Sequence, residues 1–315
     1  MSQKTPNVGI ALAAFQPNLT FFKIQLESIQ TQSFRSWICI VNFDSSLESI
    51  RHDENFQKYF SDERFIWLEN KKNLGHTLNF EKAIALCLER FPGLKYIGFS
   101  DQDDIWYSTK LEWLIKTLSD APPLSGAHSN FDLLFADDSR KPGFQFEGRQ
   151  VEGIELFDLA LRNVCTGAAS LFDSDLFRKY PKIHPSFKDH DHWYGLLAFI
   201  EGRLIPIEQP LYAYRQHESN LIGTQKKTGL ITLRKKWGLN SFLTHCVNID
   251  QTFRQHIFAL PIKENDKKLL LSHRKLLRSL VRTFFLGNLM VTRLCIARIF
   301  GIIFSARGES HRLKH

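Results

Sequence analysis

The first 120 residues alternate between short apolar runs and longer segments whose apolar side chains recur at helical spacing. The apolar runs predict buried strands, and Phe22, Leu26 and Ile29 illustrate the helical spacing between them. Strands that alternate with helices indicate an α/β fold with a mostly parallel sheet and flanking helices. The predicted strands cover Val8–Ala14, 37–41, 65–68 and 96–99, and the predicted helices cover Leu19–Gln30, 77–88 and 110–118.

The pattern beyond residue 120 is less regular, because proline-containing turns interrupt it. Residues 196–200 continue a helical pattern, and 204–206 and 211–214 predict short extended pieces. From about residue 224 the pattern becomes helical and basic. The chain contains no GxGxxG or P-loop sequence, which disfavours the dinucleotide-binding and NTPase versions of an α/β fold.

Charge supports a division of the chain near its last third. The whole chain carries a net charge of +8, but residues 225–315 hold 18 Lys/Arg and 4 Asp/Glu, so the remainder is mildly acidic. We therefore predict a first domain over 1–223, with a nucleotide-binding half over 7–120 and an acceptor or catalytic half over 121–223. A basic, amphipathic helical region over 224–315 follows.

Three carboxylates follow the fourth predicted strand, in the sequence Ser100-Asp101-Gln102-Asp103-Asp104. Open α/β sheets bind ligands at the carboxyl ends of their strands. Carboxylates this close repel one another, and a cation that prefers oxygen ligands, Mg²⁺ or Mn²⁺, would relieve the repulsion. Two interpretations are open: a metal-assisted reaction on a phosphorylated donor, or an acidic first turn of the helix near Thr109.

The cysteines and the N-terminus indicate the cellular compartment of the protein. Five scattered cysteines without a CxxC pair argue against a disulfide framework and against a zinc site. Residues 1–7 are polar and lack the apolar core of a secretory signal. We therefore expect a cytoplasmic location.

The basic C-terminal region suggests a surface for membranes or subunits. Residues 276–304 are very apolar but are broken by four arginines, so they are too charged for a clean membrane span. If the region forms a helix, we expect it to lie on the inner face of the cell membrane, where anionic lipid attracts its basic residues. The alternative is packing against the core or against a second subunit, which would give a homodimer. We expect no nucleic-acid partner, because no such motif is present. The basic stripe comprises Arg274, Lys275, Arg278, Arg282 and Arg293.

Several short motifs give the chain a family resemblance over roughly residues 7–223. They are 13–18, Asp44-Ser45-Ser46, Asn73-Leu74-Gly75, Asn79-Phe80, 100–106, Lys110-Leu111-Glu112, 166–169, 190–193 and 214–217 with Asn220 and Gly223. In this order they resemble family 2 glycosyltransferases of the GT-A fold, and most closely the bacterial rhamnosyltransferase-like enzymes of surface polysaccharide synthesis. The fold implied is Rossmann-like.

The resemblance implies a donor site in the first half of the domain. Asp101 and Asp103 match the DXD motif and would position Mg²⁺ or Mn²⁺ on the diphosphate of a nucleotide sugar. Asp44 matches an acid that contacts the nucleoside, although Phe43 stands where the family commonly has a second acid. Asp104 is either a further ligand or a helix cap. The nucleoside pocket would also include Asn73, Gly75 and Asn79, a segment that a turn and a helix start would equally explain.

The resemblance also implies the catalytic residue. Asp191 matches the general base, which takes the proton of the acceptor hydroxyl as that oxygen attacks the anomeric carbon. His190 and His192 flank it, and either could be the base or tune it. His217 would reach the metal or the diphosphate, and Arg215 would pair with phosphate. The alternatives are a capping turn before the helix at residue 193 and a polar loop after a strand.

These features together predict an inverting glycosyltransferase. The donor would be a dTDP-, UDP- or GDP-sugar, rhamnose being one candidate sugar, and the acceptor a lipid-linked glycan of the O-antigen or capsule type. One rival is a phosphoryl-transfer hydrolase, for which no downstream Thr/Ser and Lys motifs stand out. Another is a non-catalytic scaffold that binds sugar nucleotide or membrane, which the missing acid at Phe43 favours and intact Asp101, Asp103 and Asp191 oppose.

Overall fold

The computed structural model of the chain describes residues 6–143, 154–216 and 248–272. The chain divides into two compact units. The larger unit lies within Met1–Ile154 and Asn163–Gly223, and the smaller unit lies within Glu155–Arg162 and Thr224–His315.

The larger unit is built on one sheet of nine strands within the described residues. The strands are β1 (Val8–Ala14), β2 (Trp37–Phe43), β3 (Phe65–Glu69), β4 (Tyr96–Ser100), β5 (Ile105–Trp106), β6 (Gly126–Leu134), β7 (Arg140–Pro142), β8 (Ser170–Asp173) and β9 (Leu204–Arg215). Their order is β3-β2-β1-β4-β8-β6-β9-β5, with β7 beside β6. The first four strands are mutually parallel, and β8 runs antiparallel to β4.

Helices and turns connect these strands. The helices of the larger unit are α1 (Leu19–Gln30), α2 (Glu48–Arg51), α3 (Glu54–Phe60), α4 (His76–Arg90), α5 (Lys110–Ser119), α7 (Ser174–Lys179) and α8 (His190–Glu201), with a 3₁₀ turn at Gly167–Ala169. The smaller unit contains α6 (Leu156–Leu161), α9 (helical residues 248–259) and α10 (Glu264–Leu271).

The predicted α/β fold is confirmed, since a largely parallel sheet is flanked by helices. The predicted strand Val8–Ala14 and helix Leu19–Gln30 have the observed bounds, and the other five elements predicted within the first 120 residues differ from those observed by at most two residues at either end. The two extended pieces predicted at 204–206 and 211–214 form one strand, β9. Pro206 and Pro210 interrupt the strand pattern in the sequence, so the sequence predicts two pieces. The pairing of β9 with β6 shifts register around Asn130.

Apolar packing fixes the parallel half of the sheet. All seven residues of β2 are buried, as the continuous apolar run requires. Phe22 of α1 packs edge-on against Phe43 at 5.5 Å and stacks on Phe56 at 5.9 Å between ring centroids. Burial of one such ring contributes about 1.5–3 kcal/mol. This packing holds the carboxyl ends of β1, β2 and β4 at one edge of the sheet.

The smaller unit is helical in its described residues. Phe157 of α6 packs on Phe253 of α9 with ring centroids 5.0 Å apart, and His256 Nδ1 lies 2.9 Å from the Ala160 carbonyl oxygen. The basic stripe predicted within 274–293 lies outside the described residues. Among the helices that are described, none has the length and apolarity needed to cross a bilayer.

Candidate active site

Polar residues gather where the parallel strands end. Asp44 follows β2 directly, Phe15 follows β1, and Asp101 follows β4. Because these strands are parallel and in register, their carboxyl ends meet at one edge, where α/β sheets bind ligands. The structure thus brings the predicted donor-site acids to a common edge.

Asp101 and Asp103 sit on the loop between β4 and β5 and are both partly exposed. The intervening Gln102 points back to β1, where its Oε1 accepts a hydrogen bond of 2.8 Å from the Phe15 backbone N–H. This hydrogen bond ties the middle residue of the loop to the end of β1, while its two acidic neighbours stay partly exposed. Their binding of a cation stays a prediction.

Asp104 differs from its acidic neighbours because it is fully buried. Burial first, and then the charges of Asp103 and Asp101, raise the pKa of Asp104 well above its ordinary value. Its Oδ1 accepts a hydrogen bond of 3.2 Å from the Arg215 backbone N–H. The N-cap of α5 is Thr109, so the alternative of Asp104 as a helix cap is wrong. Through this hydrogen bond, Asp104 ties the loop to the end of β9.

Arg215, at the end of β9, holds the same loop. Its Nε donates a hydrogen bond of 2.9 Å to the backbone oxygen of Asp103, and its guanidinium lies 4.2 Å from the centroid of the Phe21 ring. The side chain is 8% exposed on the residue scale, so it is fixed rather than free in solvent. Its predicted contact with phosphate stays a prediction, and the contact described here is with the acidic loop.

Asp44 is buried and accepts hydrogen bonds from the loop before α4. The Leu74 N–H lies 2.7 Å from its Oδ1 and 2.9 Å from its Oδ2, and the Gly75 N–H lies 2.7 Å from Oδ2. Asn70 donates a further hydrogen bond of 2.8 Å to Oδ1. The described contacts of Asp44 therefore shape the loop, and its direct contact with a nucleoside stays a prediction.

Asn79 lies inside a buried amide cluster behind that loop. Its Oδ1 accepts hydrogen bonds from Asn42 at 2.5 Å and Asn70 at 2.9 Å, and its Nδ2 donates to the Asn42 carbonyl at 3.0 Å. Asn79 is only 2% exposed, so it supports the loop before α4 from the protein interior. Asn73 and Gly75 form the exposed turn in front, where Gly75 has a φ of 80° that side chains rarely adopt.

Asp191 occupies the first turn of α8, where a carboxylate interacts favourably with the helix dipole. Its Oδ1 accepts hydrogen bonds of 2.7 Å from the Asn163 side chain and from the His192 N–H, and its Oδ2 accepts one of 2.9 Å from the Gly167 N–H. The 166–169 motif of the family resemblance therefore helps to orient this carboxylate. Sequence reasoning missed Asn163, which no motif marks.

His190 is unsuited to act as a base. It is 3% exposed and stacks on Phe80 with ring centroids 3.8 Å apart, while Phe99 packs edge-on at 4.5 Å. Burial, and then the neighbouring His76, lower the pKa of His190 well below its ordinary value. Among the described residues neither ring nitrogen has a hydrogen-bond partner. Trp193 is also a core residue, and its Nε1 donates to the Lys182 carbonyl at 3.1 Å.

His76, the first residue of α4, also lies at this edge, although no motif had marked it. Its Nε2 is 3.9 Å from Asp101 Oδ1, and its ring centroid is 5.3 Å from that of His190. Burial lowers the pKa of His76, but the carboxylates of Asp101, Asp191 and Asp189 outweigh that effect and raise it. One imidazole thus interacts with the predicted cation-binding acid and with the predicted base.

The donor set at this edge fits a cation that binds together with phosphate. Within the described residues, no group of three or more His, Cys, Asp and Glu side chains could hold a metal ion alone. Asp101 and Asp103 offer two carboxylates, the number that Mg²⁺ commonly takes from protein beside phosphate and water. His217, predicted as a further ligand, lies outside the described residues.

The chain is similar in sequence to two glycosyltransferases, although no family model matches it. It is 24% identical over 245 residues to the uncharacterized glycosyltransferase MJ1057 of Methanocaldococcus jannaschii, covering 74% of this chain and 80% of that one. It is 33% identical over 95 residues to the bifunctional glycosyltransferase pgtA of Dictyostelium discoideum, covering 30% of this chain but only 12% of pgtA.

Solved structures show the same fold at low identity. S. aureus TarS 1–349 in complex with UDP-GlcNAc has a TM-score of 0.57 at 12% identity, covering 84% of this chain and 70% of that one. Its complex with UDP has a TM-score of 0.55 at 11% identity, with coverage of 90% and 75%. The chain has a mixed α/β fold resembling the TarS glycosyltransferase fold, and its sequence relatives support a glycosyltransferase family.

Proposed function

We propose that this chain is an inverting glycosyltransferase that moves a sugar from a nucleoside diphosphate donor to a hydroxyl of a glycan acceptor. The observation that carries the proposal is the convergence of Asp101 and Asp191 around His76 at one edge of the sheet. Retaining transfer through the same carboxylate would require it to be a nucleophile, whereas the family resemblance favours a base. The likeness to TarS, seen with UDP-GlcNAc and UDP, supports a nucleotide-sugar donor.

The donor would bind across the ends of β1, β2 and β4. Its nucleoside would face the turn at Asn73 and Gly75, which Asp44 and Asn79 hold in shape. Asp101 and Asp103 would hold Mg²⁺ or Mn²⁺, which when bound would neutralise charge that develops on the departing diphosphate. Arg215 keeps the acidic loop in place by donating to the Asp103 carbonyl.

Asp191 would act on the acceptor. One of its oxygens takes the proton of the attacking hydroxyl as the new glycosidic bond forms and the bond to the diphosphate breaks. Asn163 and the Gly167 N–H fix the direction of this carboxylate, so little reorientation is needed when the acceptor arrives. Positioned acid–base groups of this kind typically contribute 10²–10⁴-fold in rate, as an order-of-magnitude estimate.

The finer assignments extend this proposal. Rhamnose as the sugar, a lipid-linked acceptor of the O-antigen or capsule type, and a location at the inner face of the membrane rest on the family resemblance and on the basic sequence of 225–315. A homodimer through the C-terminal helices is the competing use of that region.

Calorimetric titration of the full chain with dTDP-, UDP- and GDP-sugars, each with and without Mn²⁺, tests the donor site. We expect one nucleotide class to bind in a Mn²⁺-dependent manner, and Asp103→Ala to weaken that binding at least tenfold. Asp120→Ala, which removes an exposed carboxylate at the end of α5, is the matched control and should leave binding unchanged.

The rival functions give different results. If the folded protein binds none of these donors, the catalytic proposal fails and a scaffold role is favoured. If it binds them equally well in Asp103→Ala, the acidic loop is not the donor site. Release of phosphate from simple phosphoesters would instead support a phosphoryl-transfer hydrolase.

A further inference from the structure

His76 is placed unusually for a surface histidine. It begins α4 directly after the turn at Gly75, and its ring packs edge-on against Phe80 at 5.0 Å between centroids. The ring centroid also lies 5.3 Å from that of His190, which stacks on Phe80. These contacts restrict the imidazole, yet 36% of the side chain stays open to solvent. The ring is therefore held against the core with one edge free.

The free edge carries Nε2 and faces the acidic loop. The nearest carboxylate oxygen to it is Asp101 Oδ1 at 3.9 Å, and Asp101 is itself 36% exposed. A carboxylate only accepts hydrogen bonds, so an N–H group on Nε2 is the favourable arrangement beside Asp101. His76 thus presents an N–H donor toward the space in front of the loop.

That space is where a diphosphate would lie. An oxygen that shares a cation with Asp101 would be within about 4 Å of the carboxylate, because each oxygen binds Mg²⁺ at about 2.1 Å. Nε2 lies at a similar distance from the same carboxylate.

We propose that His76 is a catalytic residue of the donor site, donating a hydrogen bond from Nε2 to the diphosphate of the donor and of the departing nucleoside diphosphate. This inference rests on the proposed function. It assigns to the first residue of α4 a direct contact with substrate, which the family motifs do not mark in this chain. His76 would act beside the acidic loop, on the diphosphate that this loop binds.

Calorimetry of the full chain with nucleoside diphosphates and nucleosides tests this contact. The probes are UDP, dTDP and GDP, each compared with uridine, thymidine or guanosine, in Mn²⁺. The variants are His76→Phe, which preserves the ring packing, and His76→Gln, which retains an N–H donor. The control is His52→Phe, which removes a histidine whose side chain is 80% exposed. Circular dichroism and thermal melting verify that each variant is folded.

We expect His76→Phe to weaken binding of the preferred nucleoside diphosphate about tenfold in Mn²⁺, as the loss of one hydrogen bond to a charged group implies, and to leave Mn²⁺ binding to the protein alone unchanged. Affinity for the matching nucleoside should not change, and His76→Gln should recover part of the loss. His52→Phe should behave as wild type.

Other results overturn the inference. Unchanged diphosphate affinity in His76→Phe, with wild type binding normally, leaves the proposed function standing and reduces His76 to a packing residue. If His76→Phe instead weakens Mn²⁺ binding to the protein alone, measured by electron paramagnetic resonance, His76 is a cation ligand. Absence of any nucleotide binding in wild type overturns both this inference and the proposed function.

Discussion

At the scale of single residues, hydrogen bonds determine which polar groups are available for chemistry. Asp191 accepts three of them, from Asn163, His192 and Gly167, and so presents one fixed carboxylate. His190 lies next to it in sequence but is buried against Phe80. These sequence neighbours are both buried, but they differ in their surroundings, because Asp191 lies among hydrogen-bond donors and His190 among aromatic rings.

A residue remote from the chemistry gives a clear pH prediction. Hydrogen bonds from Arg64, at 2.9 and 2.7 Å, and one from Gln30 lower the pKa of Asp62 to about 2 from an ordinary 3.8. A depressed carboxyl pKa adds stability above its unfolded value, and that stability is lost as the pH falls through the folded value. The contribution of Asp62 should therefore be lost mostly between about pH 4 and pH 2.

We expect Asp62→Asn to lower the free energy of unfolding by about 1 kcal/mol at pH 7, a value discounted because the pair is partly exposed. The difference from wild type should fall to about a third of its pH 7 value at pH 2.5 and approach zero only below pH 2, because the folded pKa is about 2. Urea unfolding at pH 7, 4 and 2.5 measures it, with Asp120→Asn as an exposed control. A difference that stays constant with pH would mean that the pair with Arg64 contributes nothing to stability.

At the scale of elements, β9 and the acidic loop depend on each other. Arg215 donates from its backbone to Asp104 and from its side chain to the Asp103 carbonyl, so the end of β9 fixes the loop after β4. The two elements are more than 100 residues apart in sequence, as the separations of these hydrogen bonds show. The loop geometry therefore depends on tertiary contacts that periodicity does not reveal.

Arg215→Met should loosen this loop. It removes a hydrogen bond and the guanidinium stacked on Phe21 but keeps the aliphatic stem, so we expect a loss of about 1–3 kcal/mol in unfolding free energy. Donor affinity should fall several-fold in parallel. Denaturant unfolding and calorimetry report the two effects, and Arg203→Met, at an exposed position, is the control. Weaker donor binding at unchanged stability would point to direct phosphate contact instead.

The elements that sequence patterns predict best are those that bury one continuous face. The strands β1 to β4 are apolar along their length, and their predicted bounds lie close to those observed. The short helices α2 and α3 were not predicted, and neither were β6 and β7, because few residues in them repeat with a clear period. Where contacts across the sheet define a strand, as in β5 with β9, local pattern carries little information.

The candidate site likewise combines residues that sequence motifs predicted with residues that they did not. The acids Asp101, Asp103 and Asp191 belong to short motifs and were identified from sequence, although their roles stay predictions. Asn163 and His76 carry no motif, and folding alone brings them to those acids. Asp44 and Asn79 were expected to face a nucleoside, but their described hydrogen bonds go to the loop before α4 and to a buried amide cluster.

At the scale of the whole molecule, charge is separated along the chain. The mildly acidic first part contains the candidate site, and residues 225–315 carry the excess of Lys and Arg. If the glycan acceptor is attached to lipid, a basic region would hold the enzyme near it by attraction to anionic headgroups, at about 1 kcal/mol per basic residue near the surface.

Flotation of the full chain with vesicles tests this role. We expect binding to vesicles that contain anionic phosphatidylglycerol, little binding to phosphatidylcholine alone, and release as salt rises, because screening weakens surface electrostatics. A variant with glutamine at Arg274, Lys275, Arg278, Arg282 and Arg293 should lose most of this binding. Equal binding to both vesicle types would exclude electrostatic attachment, and a dimer that forms without vesicles would favour the subunit interface.

We propose that two separate steps take place at one edge of the sheet: Asp101 and Asp103 bind the donor, and Asp191 removes a proton from the acceptor. The most direct test of this proposal measures donor affinity and release of nucleoside diphosphate side by side in wild type, Asp103→Ala and Asp191→Asn. We predict that Asp103→Ala loses binding, whereas Asp191→Asn binds donor normally and releases nucleoside diphosphate about 10²–10⁴-fold more slowly. Undiminished release by Asp191→Asn, or loss of donor binding in it to the same degree as in Asp103→Ala, would contradict the account.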